Sequence, residues 1–200
     1  TVDFYHEMGH ALINLMDLPV LGAEEDAADT LSVYLITDLW DDPSADTIMR
    51  ASLATWQAKA AENGDTPDYW DVHAPDGKRI ANMSCLFYGA DPEKHAAIAK
   101  DFGIPEDRAA GCPDEYEQVK KAWGGFIDKL TAAGPGDSIV FEDPEEATPL
   151  SDAIKEEVDY FNSILTLPKT LHVRLISCDE ANAYFDPSDL SVNMCTELAD

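Results

Sequence analysis

Along most of this chain the apolar residues recur every three to four positions, the spacing that lines one face of an α-helix. Phe4, Met8, Ala11, Leu12 and Leu15 form the first such stripe, and Asp17-Leu18-Pro19 ends it because proline cannot continue a helix. A second stripe through Leu31, Tyr34, Leu35 and Leu39 predicts a helix opening at the acidic run Glu24-Glu25-Asp26. A third runs through Ala45, Ile48, Met49, Leu53, Trp56 and Ala60, with Ser44 as its expected cap and Asn63-Gly64 as its stop. Residues 65–77 read as a polar loop, and residues 78–88 and 92–101 as short helices. Tyr116, Val119, Trp123, Phe126, Ile127 and Leu130 stripe a longer helix that ends at Gly134. Gly134-Pro135-Gly136-Asp137 is the one linker candidate, and Ser151 is expected to cap a last helix with Ile154, Val158, Phe161 and Leu165 turned inward.

The period changes late in the chain. Ile139-Val140-Phe141 reads as a short strand. Leu171, Val173 and Leu175 alternate with His172 and Arg174, and Leu190, Val192 and Met194 alternate with Ser191 and Asn193 beyond a turn at Asp186-Pro187-Ser188-Asp189. The expected fold class is therefore α+β, a mostly helical body with a small β-sheet. At 200 residues, with no internal repeat, the expected organisation is a single domain over residues 1–200.

Candidate chemistry lies on the first helix, in His6-Glu7-Met8-Gly9-His10. Residues four apart share a helical face, so His6 and His10 can both point at one ion. Glu7 sits about 100° round the helix from His6, placed to take a proton from a water on that ion. Two imidazoles suit a borderline-soft cation such as Zn2+, and a hydrolytic zinc site needs a third protein ligand with one position left open. The second helix offers it: Glu25 and Asp29 are four apart, so Glu25 can bind the metal while Asp29 accepts a hydrogen bond from a ligand histidine. Glu24, the alternative third ligand, and Asp26 otherwise read as acids favouring the helix N-terminus.

H-E-x-x-H followed by E-x-x-x-D resembles the gluzincin class of zinc peptidases, of which thermolysin is the familiar member, with a shorter gap between the motifs here. The chain also resembles a family of secreted bacterial metallopeptidase-like proteins, a domain of unknown function. Four stretches carry that likeness: residues 4–29; Trp70-Asp71-Val72-His73 through Arg79 to Cys85; Cys112-Pro113-Asp114-Glu115-Tyr116; and Cys178-Asp179-Glu180-Ala181-Asn182-Ala183-Tyr184 through Cys195. The resemblance implies a zincin-like fold built round the His6–His10 helix, and a peptide or protein substrate. It also implies further roles for His73 and Arg79, which match an acid-histidine stretch with an arginine six residues on. Either is a candidate to stabilise the oxyanion of the reacting carbonyl. One departure is large: in that family the Cys-x-x-Ala-Asn-Ala-Tyr segment precedes H-E-x-x-H, whereas here it comes last. The expectation is a circularly permuted order, with the join near residues 134–138.

Four cysteines fit two disulfides, Cys85 with Cys112 and Cys178 with Cys195, or else four reduced buried thiols. The resemblance favours disulfides, and with them a secreted or periplasmic setting. No apolar run approaches a membrane span. Lys and Arg number 13 against 40 Asp and Glu, a net charge of −27, which argues against nucleic acid and anionic membranes as partners because both need a basic face. Such a surface serves solubility and favours cationic substrates. Two functions therefore stand side by side. One is a secreted zinc metallopeptidase with His6, His10 and Glu25 as ligands and Glu7 as general base. The other is a non-catalytic, zinc-stabilised binding domain. Glu7 discriminates them, since a structural zinc site needs no unligated carboxylate beside its histidines.

Overall fold

The computed structural model describes residues 1–63, 69–142, 144 and 146–199, with 62 and 63 as backbone. The expected stop at Gly64 and residues 65–68 of the expected loop lie outside the described residues. The fold is α+β, with eight α-helices and one four-stranded mixed sheet among the described residues. It divides into two compact units.

The first unit contains Asp3–Val20 and the chain from Gly125 onward. Its opening helix, α1 (Val2–Met16), stops where Asp17 takes a left-handed conformation at φ 51° and its N–H caps the carbonyls of Ile13 and Asn14. The sheet is ordered β1 (Ile139–Glu142), β2 (Leu171–Ile176), β4 (Ser191–Cys195), β3 (Ala183–Asp186). β1 and β4 run parallel to β2, and β3 runs antiparallel to β4. β4 is thus flanked on both sides, and all five of its residues are buried. Ser191 and Asn193, the polar members of the alternation, are buried as well and hydrogen-bonded to each other, Asn193 Nδ2 donating to Ser191 Oγ at 2.9 Å. A strand with every residue buried accommodates polar positions once they find partners.

Helix α8 (Pro149–Ile164) packs Ile154, Val158 and Phe161 into this unit's core. Its cap is Thr148 rather than Ser151. Thr148 accepts from the Ser151 N–H while the Ser151 hydroxyl accepts from the Thr148 N–H, a reciprocal capping box that places Ser151 three residues into the helix. Phe161 meets Phe4 and Tyr5 of α1 at ring separations of 6.3 and 5.8 Å. The Tyr5 hydroxyl also donates to Glu157 Oε2 of α8 at 2.6 Å. The Cys178–Cys195 disulfide closes the final hairpin. Beside it Glu197, in a terminal 3-10 turn, accepts from Ser177 Oγ and from the N–H groups of Cys178 and Asp179.

The second unit, Leu21–Gly124 with Val2, is helical. It holds α2 (Glu24–Leu39), α3 (Asp42–Asn63), α4 (Asp76–Ala90), α5 (Ala96–Asp101), α6 (Glu106–Ala109) and the first part of α7 (Cys112–Thr131). α3 begins two residues before Ser44, because Asp41 Oδ1 accepts the Ser44 N–H and serves as the cap. α4 is longer than expected at both ends, and the expected helix over 92–101 is a turn followed by α5. Leu31 and Leu35, Met49 and Leu53, and Met83 and Phe87 supply the core. α7 is tied to α2 by two side-chain hydrogen bonds, Trp123 Nε1 to Thr30 Oγ1 at 3.0 Å and Tyr116 with Thr37 at 2.6 Å. The Cys85–Cys112 disulfide joins α4 to α7 where only Gly89 fits, since a Cβ there would collide with the Cys112 carbonyl. His95 is structural: its ring stacks on Phe87 at 3.9 Å and Nδ1 donates to the Phe87 carbonyl at 2.6 Å.

Candidate metal centre

In the first unit the His-Glu-x-x-His stretch occupies the middle of α1, so one helical turn separates its histidines. Helix geometry alone brings their rings within 4.9 Å, edge to face, and their Nε2 atoms within 3.2 Å of each other. His6 and Glu7 are each 7% exposed, and His10 is half-buried. Two nitrogens bound to one zinc at about 2.0–2.1 Å with tetrahedral angles would stand about 3.3–3.4 Å apart. The observed separation lies close to that, and the two imidazoles are the nitrogen donors zinc prefers. These residues fit a metal.

In the second unit, Glu25 and Asp29 lie one turn apart on α2, as their spacing requires, and each has an identified partner. Glu25 Oε2 is 3.1 Å from His73 Nε2, with Glu25 largely covered and His73 half-exposed. His73 is held from its other side by Asp71. Asp71 Oδ1 accepts the His73 backbone N–H at 2.8 Å and faces its Nδ1 at 3.0 Å. Both ring nitrogens of His73 therefore face carboxylate oxygens. The two hydrogen bonds from His73, backbone first, hold the Asp71 carboxyl below its ordinary range.

Arg79, on α4, closes a two-pronged pair with Asp29: Nε to Oδ2 at 2.8 Å and Nη2 to Oδ1 at 2.6 Å. The guanidinium also lies 3.9 Å over the Trp56 ring. Burial works against the charge on Arg79, but the hydrogen bonds and attraction of Asp29 outweigh it and hold the group charged more firmly than usual. The structure thus brings Arg79 to Asp29 and His73 to Glu25. Asp71 and Trp56 are additions that sequence reasoning did not assign. The Asp-x-His spacing, which suits a side-chain-to-backbone turn, was the available signal for Asp71. Nothing in the sequence pattern announces Trp56 under Arg79.

The four cysteines pair as expected, Cys85–Cys112 and Cys178–Cys195, and no free cysteine remains. Among the described residues no helix is long and apolar enough to cross a membrane. Residues 1–127 and 143–200 match the model of a protein family described as "Putative metallopeptidase". The unmatched stretch between them contains Gly134-Pro135-Gly136. No curated protein and no solved structure matches the chain.

Proposed function

Because the chain belongs to this metallopeptidase family, we propose that it is a zinc-dependent peptidase whose metal is held by His6, His10 and Glu25. The convergence of the His6 and His10 Nε2 atoms to 3.2 Å beside a buried Glu7 carries the reading. Zinc, when bound, supplies Lewis acidity that polarises a peptide carbonyl and makes a water more acidic. Glu7 takes the proton of the attacking water as its oxygen bonds to the carbonyl carbon. The same carboxyl then gives that proton to the amide nitrogen as the C–N bond breaks, so a carboxylic acid and an amine leave. Glu7 stays unligated for this purpose, which a structural site would not require.

Glu25 is the third ligand in this reading. Its carboxylate is largely covered and is already oriented by an imidazole, as metal-binding carboxylates commonly are by their neighbours. His73, half-exposed and fixed by Asp71 through Nδ1, is the candidate to donate to the developing oxyanion through its Nε2–H, which would turn to it from Glu25. Arg79 acts through Asp29: its fork fixes the carboxylate that follows Glu25 by one turn, which makes Arg79 a positioning residue. The two disulfides support a secreted or periplasmic setting, where such bonds persist.

The test separates ligand from base. Glu7→Gln is expected to keep metal and fold and to lose peptide hydrolysis, while His6→Ala loses the metal. Undiminished turnover in Glu7→Gln would overturn the mechanism, and stoichiometric zinc in His6→Ala would overturn the ligand assignment.

A further inference from the structure

We propose that a cleft in the helical unit is a specificity pocket for a lysine or arginine side chain of the peptide substrate, an inference that rests on the peptidase reading above. The cleft encloses about 280 Å³ between α2, α4 and α7. Met83 and Leu86 of α4 and Val119 of α7 give it an apolar floor, and Asp26, Asp29 and Glu115 supply its carboxylates. Sites for whole drug-sized ligands run to roughly 300–1,000 Å³. This space, at the lower edge of that range, has room for one extended side chain.

The three carboxylates are not equivalent. Asp29 is forked by Arg79, and Glu115 is forked by Arg108 at 2.5 and 2.6 Å, so two of the charges are already matched. Asp26, exposed on the first turn of α2, pairs with no cation among the described residues. One unmatched carboxylate at the mouth of an apolar slot complements Lys and Arg, whose methylene stems bury while the charged head stays at the wet end. A neutral aliphatic side chain reaches the same floor but leaves Asp26 as it was, and an acidic one meets repulsion. Asp29, which lines the cleft, lies one turn from Glu25 on α2, so a side chain seated here belongs to a substrate running beside the helix that carries the proposed third ligand. The net charge of −27 draws cationic peptides to the same protein.

The experiment uses the full chain loaded with zinc and a set of peptides that differ at one position, Lys, Arg, norleucine or Glu. Wild type is expected to favour Lys and Arg over norleucine by about fivefold in kcat/KM, the upper end for a solvent-accessible ion pair. Asp26→Asn should bring that ratio towards one and Asp26→Lys should invert it, with the change in KM rather than kcat. Val119→Trp, which fills the floor, should also flatten it. A basic preference that survives Asp26→Asn and Val119→Trp, or no basic preference in wild type, overturns the pocket while leaving the peptidase standing. Calorimetric binding of the same peptides to Glu7→Gln covers the opposite case. If wild type cleaves nothing and the Glu7→Gln protein still binds the Lys peptide more tightly than the norleucine one, the pocket stands and the peptidase reading fails. Equal binding of the two overturns the pocket.

Discussion

Removing a single hydroxyl with Tyr5→Phe tests how the helix that carries His6 is held. Tyr5 is fully buried, Glu157 is 9% exposed, and the phenol donates to the carboxylate at 2.6 Å. The substitution keeps the ring and its edge contact with Phe161 at 5.8 Å, so packing is preserved and only the donor is lost. A hydrogen bond to a charged group contributes about 1.5–3 kcal/mol net, and that is the loss expected where the Glu157 carboxyl is ionised. The pH dependence sharpens the test. Burial, the larger influence, pushes the Glu157 carboxyl above its ordinary range, and the Tyr5 hydroxyl pulls it part of the way back. Without the hydroxyl the carboxyl moves higher still. A folded-state value raised above the unfolded one means that the folded protein holds this proton more tightly. The associated stability is then complete below the unfolded value and is lost as pH rises through the folded one. The deficit of Tyr5→Phe should accordingly be small in the ordinary carboxylate range and grow as pH rises above it. Urea unfolding followed by circular dichroism across that range measures it. A deficit under about 0.5 kcal/mol, or one that stays constant with pH, would refute the reasoning.

Arg79→Met should destabilise the protein by about 3–5 kcal/mol in urea unfolding, because it leaves the Asp29 carboxylate buried without its cation; a loss below about 1 kcal/mol would show that the pair is not needed. Glu197, whose carboxyl is lowered to about 2 by the Ser177 hydroxyl and the Cys178 N–H, stabilises the fold above the ordinary carboxylate range and loses that contribution as pH falls towards about 2. Glu197→Gln should therefore flatten the acid limb of the stability profile, and an unchanged limb would contradict the assignment. Replacing Cys178 and Cys195 together by serine opens a bridge of sequence separation 17 and should cost about 3 kcal/mol by the loop-entropy relation, measured by urea unfolding under non-reducing conditions.

How much of this was legible depended on the range of the interaction. Periodicity located α1, α2, α7 and α8 and the strands β1, β2 and β4, though not β3, because a stripe such as Phe4, Met8, Ala11, Leu12 and Leu15 is dictated by the helix itself. Helix starts were less legible. Ser44 and Ser151 are good caps in isolation, yet Asp41 and Thr148 lie three residues earlier and take the role, leaving each serine as the residue whose N–H is capped. The burial of Ser191 and Asn193 was hidden because it depends on what covers the two faces of the sheet at β4, which is not a local property. The same distinction holds at the candidate site. The His6–His10 approach follows from one turn of helix, and the Glu25–Asp29 spacing likewise. The fork between Arg79 and Asp29, the Trp56 ring beneath it and the Tyr5–Glu157 bond join residues 50, 23 and 152 positions apart, which no pattern of neighbours encodes.

The most direct measurement for the central claim is the zinc content of the purified full chain by mass spectrometry, before and after chelation, with cleavage of a mixed peptide library followed in the same samples for wild type and Glu7→Gln. One zinc per chain is expected in both proteins, with cleavage by wild type alone that chelation abolishes and zinc restores. A wild-type protein that takes up no metal would contradict that claim.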